Sequence, residues 1–232
     1  MIDAAKIPLR RESWCPERRN AFSGNTPWHL TAKQISYLPS ALPGDWALDL
    51  GCGRGLHTGL LKALGYRVRS TDYAGEAADD LADAHALPYR DGVFRLVLSV
   101  AVLEHLAEPV VALGEVRRVL RGAGMLVGTV AFLEPLHDAS YFHMSPLGLA
   151  QVIAASGLEL ETVFPIHGWS GVRAQLEMGL GTRVPRWVSR LLAAPANILL
   201  GLHDVVSSRR GEARVWREAG RAGAFFFVAR RA

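Results

Sequence analysis

The chain has 232 residues, 50% of them hydrophobic and 21% charged, enough for one α/β domain with its own core and a composition that excludes disorder and fibrous repeats. Its two cysteines, Cys15 and Cys52, are too few for a disulfide framework or a cysteine-based zinc site, and the charged start MIDAAKIPLRRESW lacks the apolar stretch of a signal peptide, so a cytoplasmic location is expected. The formal charge of +4 is uneven: from Arg183 onward ten arginines face Asp204, Glu212 and Glu218, a balance of +7 that leaves −3 for residues 1–182.

Residues 1–44 mix prolines with clustered charges and read as an N-terminal arm with one helix near 31–38. From Trp46 short apolar runs alternate with helical stretches. WALDL (46–50) reads as a buried strand, 51–55 as a glycine turn and 56–64 as a helix. YRVRSTD (66–72) is the next strand, and FRLVLSV (94–100) is apolar enough to be covered on both faces, as parallel strands are. A helix over 109–120 carries Val110, Leu113, Val116, Val119 and Leu120 on one stripe. A strand over 125–132, a helix over 146–155 ended by Gly157, and a strand over 158–164 follow. The alternation predicts a doubly wound, Rossmann-like sheet with right-handed crossovers.

The last strand, AFFFVAR (224–230), stands almost sixty residues after its predecessor, and a structureless loop of that length does not suit a compact domain. Apolar residues from Trp187 to Val206 recur at helical spacing, interrupted by Pro195, so 165–222 is expected to be a helical insertion. The organisation read from the text is therefore an arm (1–44), a core (45–164), a helical cap (165–222) and a final core strand (223–232). Arginines on one face with Trp and Leu on the other allow a peripheral membrane contact through 183–217, or equally a cap or a dimer surface. Monomer and homodimer both stay open.

The sharpest chemical signal is ALDLGCGRG (47–55), a strand ending near an acidic residue and running into three alternate glycines before a helix. Glycine there lets backbone approach a nucleotide-like ligand closely. Taken alone, the pattern leaves a NAD-binding fold, a methyltransferase and a plain tight turn open. Asp72 lies at the end of the second strand, where a carboxylate can accept both ribose hydroxyls of an adenosine, which fits either cofactor. Asp83, in DAHALP (83–88), stands where a loop could reach the same crevice, with a turn or capping aspartate as the ordinary alternative.

The run 47–132 resembles the class I S-adenosylmethionine-dependent methyltransferases. ALDLGCGRG resembles the family's first motif, STDYAG (70–75) the second, DAHALPYRDGVFRLVLSVAVLEHL (83–106) the central signature, and EVRRVLRGAGMLVGTV (115–130) the stretch leading into the fifth strand. The resemblance implies a seven-stranded sheet with its last strand antiparallel, and S-adenosylmethionine as cofactor. By the same likeness the cofactor contacts come from Asp49, Gly51, Cys52, Gly53, Gly55, Asp72, Tyr73, Asp83, Ala84, Ser99 and Val100. Two departures, Arg95 where the family usually has Asp and Gly122-Ala123-Gly124 where it has Pro-Gly-Gly, are expected to lie away from the cofactor.

The resemblance and the residues together place the catalytic candidates Glu104, His105 and His143 near the methyl group, with His143 the preferred base because a neutral imidazole can take a hydroxyl proton near working pH. Glu104, His105, Asp138 and His143 are also suitable ligand types for a divalent metal, whose use is left unknown. The expected activity is O-methylation of a hydroxyl on a sugar or secondary metabolite. C- or N-methylation, NAD-linked oxidation and a non-catalytic binding protein are the alternatives. The absence of an Asn-Pro-Pro-Tyr segment weighs against a nucleic-acid base as acceptor.

Overall fold

A computed structural model describes residues 6–11, 24–27, 29–180, 185–206 and 212–231. Seven strands form one sheet: β1 (Trp46–Leu50), β2 (Arg67–Asp72), β3 (Asp80–Leu81), β4 (Phe94–Val100), β5 (Leu120–Ala131), β6 (Glu159–Pro165) and β7 (Ala224–Arg230). Their order is β3-β2-β1-β4-β5-β7-β6. The pairs among β1 to β5 are parallel, and β7 lies antiparallel between β5 and β6. The sequence order reverses between β1 and β4, and it is outside the carboxyl ends of strands at such a reversal that doubly wound sheets bind ligands.

Helices α1 (Ala32–Ile35) and α2 (Thr58–Ala63) belong to one face, α3 (Pro109–Val119) and α4 (Pro146–Ala155) to the other. The reason is legible in β7, where successive side chains point to opposite faces. Phe225 and Phe227 pack with Leu113, Val116, Leu149 and Ile153, whereas Phe226 and Val228 pack with Ile35, Leu38, Leu60 and Leu61. All three phenylalanines are fully buried. Both faces being covered, the strand can be apolar throughout. Pro109 opens α3 and buries Ala112, Leu113, Val116 and Val119 on one stripe. Ser145 caps α4 by accepting from the Gly148 amide at 3.2 Å.

Several local readings differ from the sequence-based expectation. The short β3 lacks any periodicity to announce it. β5 begins at Leu120, so the Gly122-Ala123-Gly124 segment sits inside the strand as an irregularity, with Ala123 at φ 58° and the pairing register to β4 shifted there. Arg95 lies at the opposite end of the sheet from the glycine turn, where its Nε is 3.3 Å from Asp45, and Arg121 reaches the same buried carboxylate at 2.8 Å.

Three more helices, α5 (Gly171–Gly179), α6 (Arg186–Val206) and α7 (Glu212–Ala219), lie between β6 and β7. The N-terminal segment is bound along β6 through a Leu9–Val163 bridge. Cys15 and Arg183 are outside the described residues.

Candidate functional site

The chain leaves β1 at Leu50 and turns sharply. Gly51, Gly53 and Gly55 have φ of 69°, 50° and 72°, the left-handed region that side chains resist. At Gly51 space forbids a side chain as well, since a Cβ would lie 2.4 Å from Cγ2 of Val102. The Gly51 and Cys52 amides both donate to the Thr71 carbonyl, at 2.8 and 3.1 Å, and the Gly53 amide donates to Oδ2 of Asp72 at 2.8 Å. The Ala74 amide holds Oδ1 of Asp72 at 3.0 Å. Asp72 is thus fixed at the tip of β2. A carboxylate offers about four lone-pair directions, so two remain for a ligand.

Asp49 is buried and accepts from the Thr58 hydroxyl at 2.7 Å, and burial raises its carboxyl above the usual range. Cys52 is buried beside it. Its thiol is pushed up to about 11 by burial and by the carboxylates of Asp49 and Asp72, so it stays protonated and unreactive.

Facing this turn, β4 ends in Ser99 and Val100, both buried, and Ala101 breaks the strand with φ 55° while its amide donates to the Thr129 hydroxyl at 3.0 Å. A single 3-10 turn, Leu103–His105, follows. It presses Glu104 inward to 1% exposure, and the Glu104 backbone carbonyl is held by the amides of Tyr141 and Phe142. Burial, with a smaller contribution from the Glu134 carboxylate, pushes the Glu104 carboxyl up to about 7, against opposing hydrogen bonds from its own and the Ala131 amides and against His137. Its Oε2 has no hydrogen-bond partner.

Three imidazoles stand in a row behind it. His105 meets His137 edge-on at 5.2 Å, and His137 meets His143 at 5.8 Å. Nδ1 of His137 donates to the Pro135 carbonyl at 3.0 Å and Nδ1 of His143 to the Phe132 carbonyl at 3.2 Å. Nε2 of His143 is buried without a partner, and burial lowers the His105 imidazole. Single ligand atoms of Glu104, His105 and His137 lie within 4.8 Å of one another; Asp138 and His143 are outside that group.

A cavity of about 750 Å³ opens between these residues and the helices after β6, within the range of small-molecule sites. Glu104, Glu134, His137, Ala101 and Thr129 line it from the sheet, Arg173, Glu177, Arg186 and Arg190 from α5 and α6, and Gln34 from α1. His143 is not among its lining residues. The helix side is already cross-linked: Glu177 holds Arg173 at 3.0 Å and Arg186 at 3.4 Å, and Trp169 Nε1 donates to Glu134 at 2.5 Å.

Residues 48–128 match the model of a methyltransferase domain. Over that stretch the chain is similar to methyltransferase domains. Curated relatives include an uncharacterised 37.1 kDa protein in transposon TN4556 of Streptomyces fradiae, 40% identical over 104 residues, or 38% of this chain and 30% of that protein. The tRNA (carboxymethyluridine(34)-5-O)-methyltransferase of Xenopus tropicalis is 31% identical over 62% of this chain and 25% of its own length. The chain thus spans between a quarter and a third of these two relatives. Among solved structures, the geranyl diphosphate C-methyltransferase of Streptomyces coelicolor superposes with a TM-score of 0.57 at 16% identity, over 86% of this chain and 77% of that one. A methyltransferase in complex with the Haloferax volcanii Trm112 activator gives 0.58 at 18% identity, over 88% and 89%. Both likenesses are of fold.

The cofactor of this methyltransferase class, S-adenosylmethionine, suits the residues present. Backbone stripped of Cβ atoms at the turn, and a carboxylate anchored at the tip of β2 with lone pairs to spare, are what an adenosine ribose requires. Tyr73 is 83% exposed. Asp83 is exposed too, and it accepts from the His85 amide at 2.9 Å and contacts the His85 ring at 2.6 Å, contacts that lower its carboxyl. Its own turn therefore occupies much of that side chain, whereas its neighbour Ala84 packs into the core.

Sequence reasoning reaches His137 as part of the cluster with Asp138 and His143 after β5, but prefers His143. Gln34 and Glu134 carry no signal in the text and are missed by it.

Proposed function

We propose that the domain transfers the methyl group of S-adenosylmethionine to a hydroxyl oxygen of a small-molecule acceptor held in the 750 Å³ cavity, with Glu104 taking the proton. The observation that carries this reading is the Glu104 carboxyl: buried, raised to about 7, with one unpartnered oxygen, on the wall of a cavity that Ala101, just past the end of β4, also lines. An alcohol is a weak nucleophile while protonated, and a base whose pKa lies near working pH is the most effective one to relieve it.

When bound, the cofactor supplies an electrophilic methyl on a sulfonium. Asp72 and the 51–55 backbone hold its nucleoside end, and Asp49, Ser99 and Val100 flank the rest. Glu104 accepts the acceptor's proton on Oε2, and His137 and Glu134 shape its field. The cavity walls from α5 and α6 act as a cap that positions the acceptor and keeps out water, which is most of what a single displacement needs. His105 and His143 stand behind this surface as positioning groups.

O-methylation also agrees with the activity for which the tRNA (carboxymethyluridine(34)-5-O)-methyltransferase relatives are named, which belongs to those proteins. Labelled S-adenosylmethionine incubated with fractionated small-molecule extract, and in parallel with bulk tRNA, tests the reading. Label in an alkali-stable methyl ether of a small molecule supports it. Label only in tRNA, or no transfer with the cofactor bound, removes it.

A further inference from the structure

Glu104 and His105 sit on the turn after β4, whereas His137 comes from the segment after β5, far along the chain. Their ligand atoms nevertheless lie within 4.8 Å of one another, and among the described residues they form the one such group of three. The amides of Tyr141 and Phe142 donate to the Glu104 carbonyl at 2.7 and 3.2 Å, which fastens the second segment to the first. Backbone contacts thus build the cluster, with no need for a chance approach of long side chains. Each group also keeps an electron pair. Nδ1 of His137 donates to the Pro135 carbonyl at 3.0 Å, so its Nε2 is left as an acceptor. The His105 ring is bonded to the Ala139 backbone, with one nitrogen to spare. Oε2 of Glu104, on a residue 1% exposed, has no partner. Acceptors this close in a place with little water repel one another unless a proton or a cation stands between them.

We propose that Glu104, His105 and His137 bind one divalent transition-metal ion of the zinc class. Two imidazoles and one carboxylate are a donor set that zinc and its first-row neighbours accept, whereas magnesium and calcium favour oxygen. A tetrahedral ion with bonds of about 2.0–2.1 Å spaces its ligand atoms about 3.3 Å apart, so the side chains draw in by no more than about 1.5 Å. Backbone groups behind both rings supply the orientation that metal-bound histidines use. Glu104 and His137 line the 750 Å³ cavity, which gives the ion a way in and leaves its fourth position open to water. An ion held there takes the Glu104 oxygens that methyl transfer uses, so it inhibits that reaction. This consequence rests on the methyl-transfer reading; the binding itself does not.

The test titrates the untagged full chain, stripped of metal, with Zn²⁺ by calorimetry and with Co²⁺ by its visible d–d absorption. One ion per chain is expected, and Mg²⁺ should give no response. His105→Ala and His137→Ala should each weaken binding by at least about a hundredfold, since even the groups behind a ligand contribute about 10- to 100-fold. Glu104→Gln keeps the side chain's shape and should weaken binding as well, so a folding defect in one histidine variant, seen by circular dichroism, does not decide the outcome. His203→Ala, at an exposed position, should bind as the wild type does. Absence of Zn²⁺ and Co²⁺ binding by the wild type, or equal binding by the cluster variants, overturns the proposal. Zn²⁺ should also stop label transfer to the accepting extract fraction, and a chelator should restore it. Transfer that persists with Zn²⁺ bound, or requires it, keeps the site and removes Glu104 as the base.

Discussion

Replacing Glu104 by Gln separates the carboxyl's chemistry from its shape. In the folded chain the group titrates at about 7 against an ordinary 4.5. The folded state therefore holds its proton more tightly than the unfolded chain does. Ionisation works against folding, and this cost grows as pH rises from about 4.5 and levels off above about 7. Between pH 5 and pH 8 it increases by about 2–3 kcal/mol, from a displacement of roughly two and a half pH units at 1.36 kcal/mol each. Gln has the same shape but no charge to bury, so Glu104→Gln should gain stability over the wild type by that amount across the interval. For a chain of this size that is about 5–10 °C in melting temperature. The amide's unmatched hydrogens impose a cost of their own, which does not vary with pH, so the change with pH is what counts. The assay is thermal unfolding of both proteins at pH 5 and pH 8. Turnover should fall by about 10²–10⁴-fold, and wild-type kcat should rise as pH passes about 7. A melting-temperature difference that stays constant between the two pH values refutes the argument that Glu104 is buried and held protonated, and with it its tuning as a base.

Asp72→Ala should weaken S-adenosylmethionine binding by about 10- to 100-fold, the loss of hydrogen bonds to a charged acceptor, and calorimetry that shows unchanged affinity in a folded variant removes Asp72 from the site. Gln34→Glu should raise the acceptor KM about tenfold with little change in cofactor affinity, because Oε1 of Gln34 is committed to the Thr31 amide at 2.7 Å and a carboxylate keeps that helix cap, whereas the buried, unpartnered Nε2 donor that lines the cavity is lost; an unchanged KM shows that the donor does not meet the acceptor. His143→Ala should lower turnover much less than Glu104→Gln; a loss of about 10²–10⁴-fold confined to the histidine variant makes His143 the base instead.

The doubly wound core was legible because its cause is local. WALDL running into three alternate glycines, and strands apolar on both faces, can only be read in a few ways. Asp72 followed from its place at the end of β2, since in such a sheet the carboxyl ends of the parallel strands share one edge. Burial of Glu104 could not be read in this way. Its raised carboxyl depends on Tyr141 and Phe142 closing over the 103–105 turn, contacts made across nearly forty residues of chain. His143 has the right chemistry in the text, yet the fold turns its Nδ1 to the Phe132 carbonyl and sets it behind His137.

The insertion shows the same division in its clearest form. Helical spacing between Trp187 and Val206 defines an amphipathic helix, because periodicity belongs to the chain. Which side of that helix meets the protein depends on what it packs against. Here the partners receive Ser189 and Ala193, and the apolar arc is left facing outward. A hydrophobic pattern says that a face must be covered. Only the tertiary structure decides whether the protein itself covers it.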